Sequence, residues 1–337
     1  MTETAPIRQR EGSELDRYCL CESYARATER AALAGARWLG RADQEAAERD
    51  SAEAMRSALE HLPIDGRIVI GEGDRDEAPM LYTGEEVGSG DAFAVDVAVD
   101  PLEGPNLLAK GLPNAIAILA VTEKGGILHA PDMYMEKLVV PQQAVGKVDL
   151  RWPPERNLEV LAEVLERQIS DITVVILDRP RHADLIAAVR QAGARIKLIS
   201  DGDVAPAISV AVSGTGVHAV MGIGGAPEGV LTAAALRCLG GEIQGRFWYR
   251  NDGERQRAKE MGIGDLDRVF RTKDLVRGTA LVFTATGITD GDLFRGVRLF
   301  GGGVRTHSLV MTASAHQIRF VDAIHIHDMQ RVGVVRL

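Results

Sequence analysis

Apolar positions recur at helical spacing through residues 15–39, an alanine-rich stretch that closes at Gly40, and predict a first helix. A second helical pattern begins at Asp43, a suitable N-cap, and runs to Leu62, stopping before Pro63 and the Asp65-Gly66 turn. Short apolar runs at 67–71, 94–99 and 115–121 then read as strands. Polar residues with Pro141, Pro153 and Pro154 fill 140–157, where the pattern places a domain junction. Beyond it the rhythm alternates. Strands are expected at 172–177, 195–199 and 217–223, and helices at 183–192, 204–212 and 227–239. Such alternation predicts an α/β protein with a mostly parallel sheet under covering helices. From Ala280 onward the runs are strand-like again, with nothing to assign them to either half. The domain expectation is therefore a tail at 1–14, an N-terminal lobe at 15–150 and a C-terminal α/β lobe at 155–337.

With 337 residues, 45% hydrophobic and 26% charged, the chain has the composition of an ordinary globular protein. Its 39 Lys and Arg stand against 48 Asp and Glu, a net charge of -9, which argues against nucleic acid as a partner. A small anionic substrate stays possible, because a bound cation can invert the local sign of a site. The three cysteines form no disulfide framework, and Cys19-x-Cys21 is too closely spaced for a zinc pair. The polar start has no apolar leader, and no apolar run is long enough to span a bilayer, so a cytoplasmic protein without a membrane partner is expected.

Candidate chemistry lies in carboxylates at strand ends and turns. The strand pattern AVDVAVD (94–100) runs into PLEG (101–104), placing Asp100 and Glu103 around a tight turn. Asp at N-cap, Pro at N1 and Glu at N3 also make a capping box, so cap and ligand pair stand as equal readings. A second apolar run ends in Glu72, Asp74, Asp76 and Glu77, with Gly71 and Gly73 between; it is either a solvated acidic loop or a site of close backbone approach. Glu228 sits in GIGGAPEG (222–229), a glycine-rich turn of the kind that puts a helix N-terminus near phosphate. Pro227 breaks the dinucleotide fingerprint, and no Gly-Lys-Ser/Thr follows for a P-loop. Several acids converging would need protons or cations, and oxygen-only ligands suit Mg²⁺ or Mn²⁺ better than zinc. Arg179 and Arg181 follow a strand and are either phosphate ligands or surface residues; His325 and His327 share one strand face rather than a metal.

Six segments in register, GEGDRDEAPMLY (71–82), VDPLEG (99–104), APDMYMEK (130–137), RPRH (179–182), SDGDV (200–204) and GIGGAPEG (222–229), resemble the class II (GlpX-type) fructose-1,6-bisphosphatase family. The likeness runs from about residue 16 to the C-terminus, and DPLEG further resembles the metal-dependent, lithium-sensitive sugar and inositol phosphatases. The resemblance implies a layered α/β/α/β/α sugar-phosphatase fold, with the site between two lobes. It implies metal ligation of Mg²⁺ or Mn²⁺ by Glu48, Glu72, Asp100, Glu103 and Glu228, with Asp74, Asp76 and Glu103 as catalytic acids. Substrate contacts are implied for Gly104, Tyr134, Arg179, Arg181, Asp201, Gly202, Asp203 and Gly225. The implied reaction is attack of water, activated by one divalent ion, on a phosphate monoester whose leaving oxygen a second ion stabilises. A homo-oligomer, dimer or tetramer, is implied as well.

The chain departs from that family at four places, the mildest being Asp74, a shortened acid two residues after Glu72. Pro105 stands where the family has a Thr whose hydroxyl helps orient the water, so a hydroxyl and a backbone N–H are both missing. Gln44 and Glu48 stand where it has Lys and Asp, four residues apart on one helix face. The expected activity is hydrolysis of fructose-1,6-bisphosphate to fructose-6-phosphate, with sedoheptulose-1,7-bisphosphate as a second substrate. Two alternatives stay open. One is a phosphatase retuned for another heptose or octose bisphosphate; the other is a catalytically weak, sugar-phosphate-binding paralogue.

Overall fold

The computed structural model describes residues 20–73, 78–90, 93–260 and 264–327. The tail expected at 1–14 and the acids Asp74 and Asp76 lie outside them. In chain order, α1 (Cys21–Gly35) and α2 (Gln44–Leu59) precede β1 (Ile64–Ile70), β2 (Glu86–Val87) and β3 (Phe93–Glu103). The short α3 (Pro105–Ala109), β4 (Ile116–Glu123), β5 (Tyr134–Val140) and α4 (Pro154–Val164) follow. The alternating part comprises β6 (Thr173–Leu177), α5 (Ala183–Gln191), β7 (Arg195–Ile199), α6 (Val204–Val210), β8 (Ala219–Gly225) and α7 (Ala226–Leu239). The chain closes with β9 (Glu242–Trp248), α8 (Asp252–Glu260), β10 (Phe270–Arg271), α9 (Thr272–Leu275), β11 (Val282–Gly287), β12 (Arg298–Phe300), β13 (Gly303–Thr312) and β14 (Gln317–Ile326).

Two sheets result. One has the order β12-β13-β11-β4-β3-β1-β2, with β14 paired to β13; the other has the order β10-β9-β5-β8-β6-β7. Alternation along the central strands builds the layers. On β3, Val95, Val97 and Val99 join a core with Tyr24, Met55 and Leu59 of α1 and α2, while Ala98 faces the opposite way. On β4, Ala117, Leu119 and Val121 face α1 and α2, and Ile116, Ile118 and Ala120 face the other side. That second side holds Ile208 of α6, Val230 and Leu231 of α7, and Met135 and Val139 of β5, so α6 and α7 lie between the sheets. The far face of the second sheet, through Leu138, Val174 and Ile176, packs on Leu158 and Leu161 of α4 and Val189 of α5. Helices, sheet, helices, sheet, helices: the α/β layering is the expected one.

Three expectations change. Asp100 and Glu103 open no capping box; β3 continues through Glu103, and α3 starts at Pro105 behind Gly104, whose left-handed φ of 86° turns the chain. The sheets are mixed rather than mostly parallel, with parallel pairing at β1–β3, β6–β7 and β6–β8 and antiparallel pairing elsewhere. Nor does a single cut near residue 150 follow the sheets. β5 already belongs to the second sheet, and β11 to β14 return to the first. The proline-rich stretch joins β5 to α4, two elements packed together.

Candidate active site

Two β-bulges aim acids into the space between the sheets. Asp100 pairs with Ile118 and Glu103 with Ile116, so three steps on β3 match two on β4. In a regular strand residues 100 and 103 would face opposite ways; the extra residue gives both the inner face of Ile116 and Ile118. On β1, Ile68 pairs with Val97 but Ile70 with Ala98, and Ile70 turns to the same inner core just before Glu72. Glu228 comes from the first turn of α7, where the helix N-terminus favours an acid. Its carboxylate folds back so closely that a Cβ on Gly225 would lie 1.8 Å from Oε2, so any side chain there would push the carboxylate aside.

Oxygens of Asp100, Glu103 and Glu228 all lie within 4.8 Å of one another. The Glu228 Oε2 atom is buried without a hydrogen-bond partner among the described residues. Burial, reinforced by neighbouring carboxylates, raises the proton affinity of the whole group. Glu72 is pushed up to about 7 by burial and then by Glu48 and Glu228. Glu103 is pushed up to about 8 by burial and then by Glu228 and Asp203, against a backbone hydrogen bond from Val204. Asp100 is raised well above its ordinary value by burial and then Glu103. Glu228 rises through burial, opposed by Lys137. Glu48, on α2, rises through burial, Glu45 and Asp201, so it faces the same region from the helix side. Lys137 offsets part of this charge at Glu228, yet the proton affinity of every acid in the group still rises. The donor set is oxygen alone, and it fits a hard divalent cation.

Beside the acids opens a cavity of about 350 Å³, within the range of small-ligand sites. Glu103 and Glu228 line it together with Tyr134, Arg179, Arg181, Asp201, Gly202, Asp203 and Gly225. Of the expected substrate contacts, Gly104 alone stands outside; it lies behind Gly202, whose added Cβ would come 3.9 Å from the Gly104 Cα. The arginine loop is fixed by buried His182, whose Nδ1 donates to Leu177 O at 2.7 Å while Nε2 accepts from Ile223 N at 2.7 Å. Burial lowers the proton affinity of that ring, in keeping with a neutral tautomer that donates at one nitrogen and accepts at the other.

Several residues connect the two sheets. Glu103 Oε1 accepts from Val204 N at 3.1 Å, at the start of α6. Asn106 donates to Asp201 Oδ2 from its backbone N (3.3 Å) and from Nδ2 (3.1 Å), and its Oδ1 accepts from Gln44 Nε2 at 2.7 Å. Thus Gln44, in place of a lysine, ends a relay of neutral amides that leads to an acid in the cavity.

The sequence reading did not single out Lys137, Asp132 or Arg250. Lys137 is buried and pairs with Asp203 Oδ2 at 2.7 Å. A lysine in the middle of an apolar strand was the available signal. Asp132 and Arg250 line the cavity from polar turns that read as surface.

A family model for the bacterial, glpX-encoded fructose-1,6-bisphosphatase matches residues 19–325. The chain belongs to this family. Curated relatives named D-fructose 1,6-bisphosphatase class 2/sedoheptulose 1,7-bisphosphatase agree. That of Synechococcus sp. (strain JA-3-3Ab) is 53% identical over 92% of this chain and 96% of its own length. That of Crocosphaera subtropica is 49% identical over 90% and 95%, and that of Synechococcus elongatus 49% over 89% and 94%. Among the described residues, no helix is long and apolar enough to cross a membrane.

Proposed function

We propose that this member of the family is a phosphoric monoester hydrolase acting on a sugar bisphosphate. Fructose-1,6-bisphosphate, converted to fructose-6-phosphate, is its first substrate, and sedoheptulose-1,7-bisphosphate its second. The observation that carries the reading is the meeting of Asp100, Glu103 and Glu228 beside a cavity that Glu103 and Glu228 line together with arginines. Asp100, Glu103 and Glu228 would hold Mg²⁺ or Mn²⁺, with Glu72 and Glu48 beside them. A divalent ion there would supply Lewis-acid polarisation of the phosphoryl group and neutralise charge that Lys137 offsets only in part.

The chain's own residues do the rest. Arg179 and Arg181 offer forked donors to phosphate oxygens. Asp201 and Asp203, held by Asn106 and Lys137, accept hydrogen bonds from sugar hydroxyls. The N-terminus of α7, with Gly225 leaving its backbone open, favours the phosphoryl group electrostatically. Asp74 and Asp76 are proposed as acids near the attacking water on the family resemblance. Assembly into a homo-oligomer belongs to the same proposal; exposed Leu299, Phe300 and Phe320 on the outer strands support a surface for a second copy.

Phosphate release from a panel of sugar bisphosphates with Mg²⁺ or Mn²⁺ tests the reading. Turnover on fructose-1,6-bisphosphate, lost by about 100-fold or more in Glu228→Gln, is expected. No turnover above background on any bisphosphate, with binding retained by calorimetry, overturns it in favour of the weakly catalytic paralogue allowed by Gln44, Glu48 and Pro105. Turnover confined to another heptose or octose bisphosphate would favour the retuned enzyme.

A further inference from the structure

The cavity is lined by acids, Glu103, Asp132, Asp201, Asp203 and Glu228, and by three arginines, Arg179, Arg181 and Arg250. A bisphosphate has two ends: the phosphoryl group that reacts beside the acid cluster, and a second that must be held elsewhere. That second group carries close to two negative charges, so more than one cation is needed to bind it strongly.

Each arginine is already steered by a protein oxygen. Arg179 Nη1 donates to Asp178 O at 3.0 Å, while Arg181 Nε and Nη2 both donate to Ile223 O, at 3.2 and 2.7 Å. Those bonds place the arginines but also occupy part of their donor capacity. Arg250 is held differently. Buried Glu254 on α8 accepts from its backbone N at 2.8 Å and from Nε at 2.6 Å. Among the described residues both terminal nitrogens of Arg250 remain for a ligand. The Arg250 guanidinium lies 5.3 Å from the centroid of the Tyr134 ring, and that of Arg181 lies 4.8 Å from the same ring. The aromatic plate gathers two cations that would otherwise repel, and an anion between them completes the arrangement.

We propose that Arg250, positioned by Glu254, binds the phosphoryl group that is not hydrolysed and thereby selects bisphosphates over monophosphates. This rests on the proposed hydrolase reading. For fructose-1,6-bisphosphate the group held is the 6-phosphate, which the product keeps. Fructose 1-phosphate lacks it and cannot use Arg250.

The test compares the Mg²⁺-loaded full chain with Arg250→Ala, Arg250→Lys and Glu254→Gln. Arg250→Ala is expected to raise KM for fructose-1,6-bisphosphate about tenfold or more, with a smaller change in kcat and no change in KM for fructose 1-phosphate. Arg250→Lys restores part of the loss, because charge returns without the fork. Glu254→Gln raises KM a few-fold for the bisphosphate alone. Calorimetry with fructose-6-phosphate reads the same contact without turnover, and Arg250→Ala should weaken that binding about tenfold. Equal changes for fructose 1-phosphate and the bisphosphate, or unaltered fructose-6-phosphate binding, overturn the assignment. A wild-type chain that binds fructose-6-phosphate through Arg250 yet hydrolyses no bisphosphate overturns the hydrolase reading and leaves the role of Arg250 in binding intact.

Discussion

Asn106 acts in this site through Asp201, and Gln44 acts through Asn106. The amide of Asn106 has one orientation that satisfies both neighbours: oxygen toward Gln44 and nitrogen toward Asp201. Asn106→Asp turns the donor into a carboxylate facing another carboxylate, and should raise KM for the sugar bisphosphate more than Asn106→Ala does. Gln44→Ala should have a smaller effect in the same direction, and none when added to Asn106→Ala, since its influence passes through that amide. Steady-state kinetics of the four variants check this; additive losses would separate the two residues. Next door, Pro105→Thr restores a hydroxyl and an N–H at the first position of α3. Turnover on fructose-1,6-bisphosphate should rise, and an unchanged or lower rate in the purified variant would refute that account. At this scale Glu48 came from the family resemblance alone, whereas Glu72, Asp100 and Glu103 were legible because strand patterns run into them, and Glu228 because a glycine-rich turn precedes it. The relay was not: its members lie 62 and 95 residues apart. Arg250 was equally hidden, in a turn whose polarity reads as surface.

Among the elements, strands and helices were largely readable, because burial on both faces leaves continuous apolar runs and burial on one leaves a periodic stripe. The bulges were not. Pro101 after Asp100 resembled the start of a helix, whereas the chain stays extended to Glu103 and turns at Gly104. The end of β4 offers an element-scale prediction. Glu123 accepts from Thr279 N at 2.8 Å, Thr279 Oγ1 at 3.1 Å and Ala280 N at 3.1 Å, and also from the Thr122 hydroxyl. It thereby latches the approach to β11 onto β4. Burial alone would raise the Glu123 carboxyl, but these donors outweigh it and hold it down at about 2. A folded value below the unfolded one means that the anion stabilises the fold at neutral pH, and that this contribution disappears as pH falls from about 4.5 towards about 2. Glu123→Gln should therefore unfold more easily at pH 7 and lose less stability over that acidic window. Denaturant titrations at stepped pH check it, and parallel curves for the two proteins would remove the latch.

For the whole molecule, the acid cluster sets a dependence on cations. Folding gathers Asp100, Glu103 and Glu228 in one buried place, and a divalent ion bound only there would stabilise the native state by mass action. At a hundredfold excess over Kd the gain is about 2.7 kcal/mol. For a chain of this size that is on the order of 5 °C in Tm. Mg²⁺ or Mn²⁺ should raise Tm and a chelator should reverse the rise, while Glu228→Gln should blunt both responses in a thermal melt. An ion effect of the same size in Glu228→Gln would place the ion elsewhere. The layer order was legible as a class of fold, whereas the destination of the last strands was not. An apolar alternation says that a strand has a face to bury, but not which sheet supplies its neighbour.

That late return has a consequence for synthesis. β4 lies between β3 and β11, and β11 reaches the ribosome exit only after the whole second sheet has been translated. Until then a nascent chain carries a long apolar strand with one open side, the form of edge that recruits other polypeptides. Products of premature termination before residue 282 should accordingly clump or be degraded rather than persist as smaller working enzymes.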